Sequence, residues 1–376
     1  MIKRLQREER AISMKKMGVS IYPEKSTYEQ DKDYLDLAHQ YGYKRIFTSL
    51  LEITGDSKEV VAKFKKIIEY GNSLDMETVV DINPGLFEQL NVSYDDLSFF
   101  HELGATAVRL DLGFTGAEEA RMTKNPYGLQ IEVNMSSGTK YIDNIMSYQP
   151  NKENLTASQN FYPQRYSGLA QDHFEQTTAQ YTHYRLNIAA FVTSQAGKLG
   201  PWPVQMGLCT LEQHRHLSIQ TQVTHYRLMD TIDDLLIGNG YASETELKAM
   251  ASAFSNAHPQ LEIVFEPHAT ELEKKVILEE VHQYRGDRSE YMIRSSMTRV
   301  KYKAEDFPVH STAETKKGDV VICNNSFGQY KGETQIALKT MEDDGSRNIV
   351  AKLTPESVFL LDYLTPWSSF QFIEVQ

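Results

Sequence analysis

The sequence predicts an α/β protein: a (β/α)8 TIM barrel followed by a smaller, mostly β domain. Three observations predict it. The first 250 residues alternate between short β-branched runs and helix-like segments. Polar and ionisable residues fall at every second position of several runs. Near 252–260 the texture changes to short strands divided by turns. A length of 376 residues suits a barrel of roughly 250 residues plus a second domain.

The runs, in order, are MGVSIYP (17–23), KRIFTSL (44–50), METVVDINP (76–84), TAVRLDLGF (106–114), LQIEVNMSS (129–137), LTASQNFYP (155–163), RLNIAAFVT (185–193) and DDLLIGN (233–239). Helical spacing fills 34–41, 58–70, 94–103 and 172–184 between them. Strand-then-helix alternation reads as parallel β/α architecture. No G-x-G-x-x-G follows the first strand, which disfavours an open dinucleotide-binding sheet. After SAFSNAHPQ come LEIVFEP (261–267), a helix-like stretch at 272–283, and the strand-like runs EYMIRSS, DVVICNN, ETQIALKT, NIVAKLT, SVFLLDYL and SFQFIEV. Expected limits are an extension at 1–16, the barrel at 17–255 and the β domain at 260–376. Residues 1–13 resemble no packed element, and translation is expected to start at Met14 or Met17.

Composition narrows the function. With 39 Lys plus Arg against 51 Asp plus Glu the net charge is −12, which repels a phosphate backbone, so no nucleic acid partner is expected. No apolar stretch approaches the ~18–20 residues that cross a bilayer, and no apolar signal core follows the N-terminal charges, so no membrane partner is expected. The two cysteines, Cys209 and Cys323, have no metal-type spacing; buried thiols in a reducing compartment are expected. A homo-oligomer is left open.

Alternation puts Ser20, Tyr22 and Glu24 on one face of the first strand, Asp81 and Asn83 on the third, Arg109 and Asp111 on the fourth, and Glu132, Asn134 and Ser136 on the fifth. The intervening Val80, Ile82, Leu110, Leu112, Ile131 and Val133 are apolar. Buried parallel strands ordinarily carry apolar residues on both faces, so inward polar groups at strand ends point to a barrel-mouth site, or else to a polar plug. Asp81, Asp111, Glu132 and Glu212 are the candidate catalytic acids. Tips of adjacent strands stand about 5–6 Å apart, suiting a retaining glycosidase for Asp111 with Glu132 or Asp81 with Asp111; Asp81 with Glu132 suits the wider inverting spacing. Arg109 would hold one carboxylate ionised and leave its partner protonated. His214, Arg215 and Asn239 lie where barrels commonly bind phosphate, after the seventh and eighth strands. There is no H-E-x-x-H and no G-x-S-x-G, so neither a metal, a cofactor nor a serine nucleophile is expected. A sugar-phosphate isomerase or epimerase, and a surface or carbohydrate-binding protein, are the competing classes.

At GVSIYPE (18–24), VRLDLGF (108–114), NFYP (160–163), TLEQHR (210–215) and GDVVICNNSFGQYKGETQI (318–336) the sequence resembles the bacterial 6-phospho-N-acetylmuramidases (MupG-like, glycoside hydrolase family 170). The resemblance runs from about Met17 to the C-terminus, with Cys209 standing where Pro is expected. It implies a TIM barrel with a cyclophilin-like C-terminal domain. It also implies cytoplasmic hydrolysis of the β-1,4 bond of N-acetylmuramic acid 6-phosphate–N-acetylglucosamine during peptidoglycan recycling. On that reading Glu132 is the favoured acid, with Asp111 or Asp81 as nucleophile or base. Asn160 and Tyr162 join Ser20, Tyr22, Asn83, Arg109, Asn134, Ser136, His214, Arg215 and Asn239 as substrate-binding residues.

Overall fold

The computed structural model describes residues 15–51, 57–90, 92–203 and 206–375. The expectation about residues 1–13 and Met14 lies outside the described residues. The chain divides into two compact units, Met1–Tyr226 with Asp230–Phe254, and Arg227–Met229 with Ser255–Gln376.

In the first unit eight parallel strands close into a barrel in sequence order: β1 (Met17–Ser20), β2 (Arg45–Ser49), β3 (Glu77–Ile82), β4 (Ala107–Leu110), β5 (Gln130–Asn134), β6 (Leu155–Ser158), β7 (Asn187–Val192) and β8 (Asp234–Ile237). All eight predicted runs form these strands. Outward residues such as Val19, Ile46, Val80, Val108, Ile131, Val133, Ile188 and Ile237 are buried. The inward set is divided. Phe47, Phe161 and Phe191 meet edge to face at centroid distances of 5.6, 5.2 and 5.0 Å, and pack with Tyr22, Ala189, Leu208 and Leu236. On the other side, Ser49, Asp81, Arg109 and Glu132 are neighbours in register across β2 to β5. An aromatic cluster thus fills one side of the interior, and charge occupies the other.

The second unit holds a seven-stranded sheet built from β9 (Gln260–Phe265), β10 (His282–Gln283), β11 (Met292–Ser295), β12 (Asp319–Cys323), β13 (Thr334–Ala337), β14 (Arg347–Leu353) and β15 (Ser369–Glu374). Their order is β10-β15-β9-β14-β12-β13-β11. One expectation fails: SVFLLDYL is helical, α over Pro355–Leu360 and 3-10 over Leu361–Tyr363. The start signal precedes the apolar run. Thr354 caps the helix by accepting from Ser357 N, and Pro355 occupies its first turn, where a missing N–H costs nothing. Leu360, Leu361 and Leu364 then enter the core of this unit.

Candidate active site

Arg109 organises the barrel mouth. It is 1 % exposed and projects from β4 between the tips of β3 and β6. Its Nη1 donates to Asp81 Oδ1 at 2.6 Å and lies 3.5 Å from Asp111 Oδ1. Its Nε donates to Ser158 Oγ at 2.7 Å and its Nη2 to Asn160 Oδ1 at 3.2 Å. Alternation explains the convergence: Arg109 and Asp111 are two residues apart on one face of the chain, and Asp81 is the register partner of Arg109.

The interior carries more buried acid than base. Arg45 and Arg109 face the buried carboxylates of Asp81, Glu132 and Asp234, with Asp111 a quarter exposed beside them. Asp81 bears the consequence. Burial raises its pKa, Arg109 offsets part of that, and the nearby Asp111 and Glu132 charges push it up again, to about 7. Only Asp81 Oδ1 is hydrogen-bonded among the described residues, so Oδ2 is available for a proton.

Glu132 occupies a different setting from the one expected of a general acid. It is 2 % exposed; Arg45 Nη2 binds its Oε2, and Arg109 Nε lies 3.9 Å from Oε1. Arg45 Nη1 also binds Asp234 Oδ2 at 2.7 Å. Glu132 is thus as buried as Asp81 and is the register neighbour of Arg109 on the other side, but Arg45 binds it as Arg109 binds Asp81. The sequence reading missed Arg45 and Asp234. Their signal was the same alternation, since Arg45, Phe47 and Ser49 share a face.

The loops after β7 and β8 also depart from expectation. Arg215 is 2 % exposed, and its donors are engaged: Nε and Nη2 fork onto Glu212 at 2.8 and 2.6 Å, and Nη1 reaches the carbonyls of Tyr162, Met206 and Gly207. Glu212 additionally accepts from Tyr166 N and Gly168 N. Although burial opposes it, this donor set lowers the Glu212 pKa to about 2, so the group is a loop clamp and not a proton donor. His214 is fully buried and meets His225 through Nε2 and Nδ1 at 2.7 Å. Asn239 binds Ser194 through its N–H and carbonyl, together with the Gly197 carbonyl. Ser20 donates to the Ile237 carbonyl across the β1–β8 seam. Glu212, Arg215, Asn239 and Ser20 are engaged by hydrogen bonds within the protein, and His214 is fully buried.

Asn160 and Tyr162 are half-buried beside the Arg109 cluster, and burial raises the Tyr162 phenol with the Arg109 and Asp111 charges close by. Asn134 reaches the Asp111 carbonyl, Ser136 ties to Gln159 and Asn160 N, and Asn83 receives Leu86 N. Tyr22 donates to the Gly238 carbonyl and lines a small pocket with Glu24, Lys25, Ser49, Phe64 and Pro201. Among the described residues no three His, Cys, Asp or Glu side chains converge as a metal site. No helix among them is long and apolar enough to cross a membrane.

Two family models, described as the N-terminal and C-terminal parts of 6-phospho-N-acetylmuramidase, match residues 17–252 and 259–373. Comparison with curated proteins gives no match. An uncharacterized Bacillus cereus protein of known structure is 45% identical over 96% of this chain and 100% of its own, with a TM-score of 0.88. A conserved protein of unknown function from Enterococcus faecalis is 22% identical over 96% of both chains, with a TM-score of 0.73. The chain is a glycosidase on a TIM-barrel fold and belongs to the 6-phospho-N-acetylmuramidase family.

Proposed function

We propose that the barrel hydrolyses the β-1,4 bond of N-acetylmuramic acid 6-phosphate–N-acetylglucosamine in the cytoplasm, during recycling of peptidoglycan fragments. The observation that carries this reading is the pair Asp81 and Asp111 on one nitrogen of Arg109. Both oxygens lie within 3.5 Å of Nη1, hence within about 6 Å of each other, near the spacing of a retaining pair and below the inverting range. Asp81, poised near pH 7, supplies its proton to the leaving glycosidic oxygen. Asp111, beside Arg109 Nη1, is the second carboxyl group and meets the developing oxocarbenium charge, either directly or by orienting the substrate's 2-acetamido oxygen. Arg109 holds the two carboxyl groups side by side. Asn160 and Tyr162 border the sugar, and Lys25, whose Nζ donates to the Gly200 and Pro201 carbonyls in the pocket at the ends of β1 and β2, would exchange those carbonyls for the 6-phosphate.

The test offers the enzyme the phosphorylated disaccharide and its unphosphorylated form. Release of N-acetylglucosamine from the phosphorylated substrate alone is expected, with Lys25→Met raising KM for that substrate. Equal inertness toward both disaccharides would sink the substrate assignment, and an unchanged KM would remove Lys25 from it.

A further inference from the structure

A second group of charges lies in the C-terminal unit, on the sheet face opposite its core. Ile293, Ile336, Val320, Ile322 and Val350 enter the hydrophobic core. Alternation sends Arg294, Glu333, Gln335 and Arg347 to the other face of β11, of β13 with the residue before it, and of β14. Glu333 is fully buried. Arg294 forks onto it, Nε to Oε1 at 2.6 Å and Nη2 to Oε2 at 3.0 Å. Arg299 Nη1 stands 3.2 Å from the same Oε2, and Gln335 Nε2 donates to Oε1 at 3.0 Å. Gln335 in turn accepts from Arg347 Nε at 3.1 Å.

One guanidinium in a fork is enough to neutralise one carboxylate, so this cluster carries positive charge in surplus. Arg299 has no other acceptor among the described residues, and Arg347 meets Asp344, which is 53% exposed and screened by water. Aromatic rings hold the cations together. Tyr330 lies under both Arg294 and Arg299, at 5.6 and 5.2 Å, and Phe327 lies under Arg347 at 4.8 Å. The two rings are themselves 5.2 Å apart. Three converging arginines repel one another, and an anion held among them offsets that repulsion.

We propose that this face is a binding site for the phosphate monoester group of a small metabolite, taken by Arg299 and Arg347 above the Arg294–Glu333 pair. Arg299 is in surplus and Arg347 is shared only with the solvent-screened Asp344, so the cluster attracts the charge of about −2 that a phosphate monoester carries at pH 7, and planar forks suit its oxygens. The proposal concerns residues of the C-terminal unit and does not rest on the assignment of the barrel's substrate.

Calorimetric titration of the full chain with inorganic phosphate at low salt tests it. Binding in the millimolar range or tighter is expected. The double variant Arg299→Gln/Arg347→Gln should weaken it at least tenfold while leaving disaccharide turnover unchanged. Asp344→Asn, on an exposed side chain whose turn hydrogen bonds Asn can still accept, should tighten it several-fold by removing the competing acid. No phosphate heat with the parent chain, an isotherm unaltered in the double variant, or unchanged or weaker binding in Asp344→Asn would each overturn the site. The Asp344 variant keeps the test decisive if the double variant fails to fold.

Discussion

Arg109 and Arg215 are both buried arginines paired with acids, and they do opposite things. At Arg215, one carboxylate receives two guanidinium bonds and two backbone N–H bonds, while the remaining guanidinium nitrogen serves three carbonyls. Donors are plentiful, and Glu212 is driven to about 2. At Arg109, one nitrogen is shared by two carboxylates, a third lies within 4 Å of Nε, and Asp81 is driven to about 7. Excess donors make a clamp whose charge is settled at every working pH. Excess acid leaves a proton undecided at neutral pH, which is the condition general acid catalysis requires.

The largest test of this contrast is Asp81→Asn. Loss of the acid should lower kcat by roughly 10²–10⁴-fold. Stability should move the other way. The folded pKa of Asp81 is raised above its unfolded value of 3.8, so ionising it opposes folding as pH rises from about 4 to 7. At pH 7.5 the amide variant should therefore melt at or above the parent temperature. In the parent, kcat/KM should fall as pH rises past about 7, where Asp81 loses its proton. Full activity in Asp81→Asn, or a profile flat through pH 8, would remove Asp81 from the acid role.

Glu212→Gln should show the reverse pattern. It leaves a buried guanidinium without its carboxylate, and the pair is partly solvated on the Glu212 side (27%), so a loss of about 2–3 kcal/mol is expected. Chemical denaturation at pH 7.5 measures it. The folded fraction should keep kcat within about threefold, far from the loss that a general acid's removal causes. A variant as stable as the parent but inactive would return Glu212 to the chemistry.

How much of this was legible in the sequence follows from the same physics. β-branched runs are local and marked all eight barrel strands, and period-two alternation, local too, put Asp81, Arg109 and Asp111 on one inner face. It is silent on partners. Glu132 obeys the same alternation but is tied to Arg45, and the Arg45–Glu132–Asp234 relay joins β2, β5 and β8, residues 87 and 189 positions apart. Loop residues were harder still. Arg215 and Asn239 sit where a barrel commonly binds phosphate, yet their partners are backbone groups, which leave no trace in residue types. In SVFLLDYL the apolar run outweighed a readable Thr-Pro helix start.

The smallest effect concerns His214 and His225, which anchor the clamp's turn to the helix Ile219–Met229. Burial lowers both, His225 to about 3 and His214 well below 6.5, with the His225 charge adding to the shift of His214. The folded protein therefore keeps them neutral where the unfolded chain would begin to bind protons. Their contribution to stability is complete above pH 6.5 and is lost progressively as pH falls toward 3. Asp81 acts in the opposite direction between pH 4 and 7 and would mask them, so the measurement belongs in the Asp81→Asn background. There stability should fall by about 1 kcal/mol per pH unit per histidine between pH 6 and 5. The buried His282, lowered to about 4, adds to the same slope, so His225→Gln should reduce it by about 1 kcal/mol per pH unit and not abolish it. A slope that survives the substitution unchanged would place the acid sensitivity elsewhere, and would leave the clamp side of the molecule without the pH signature that sets it apart from the mouth.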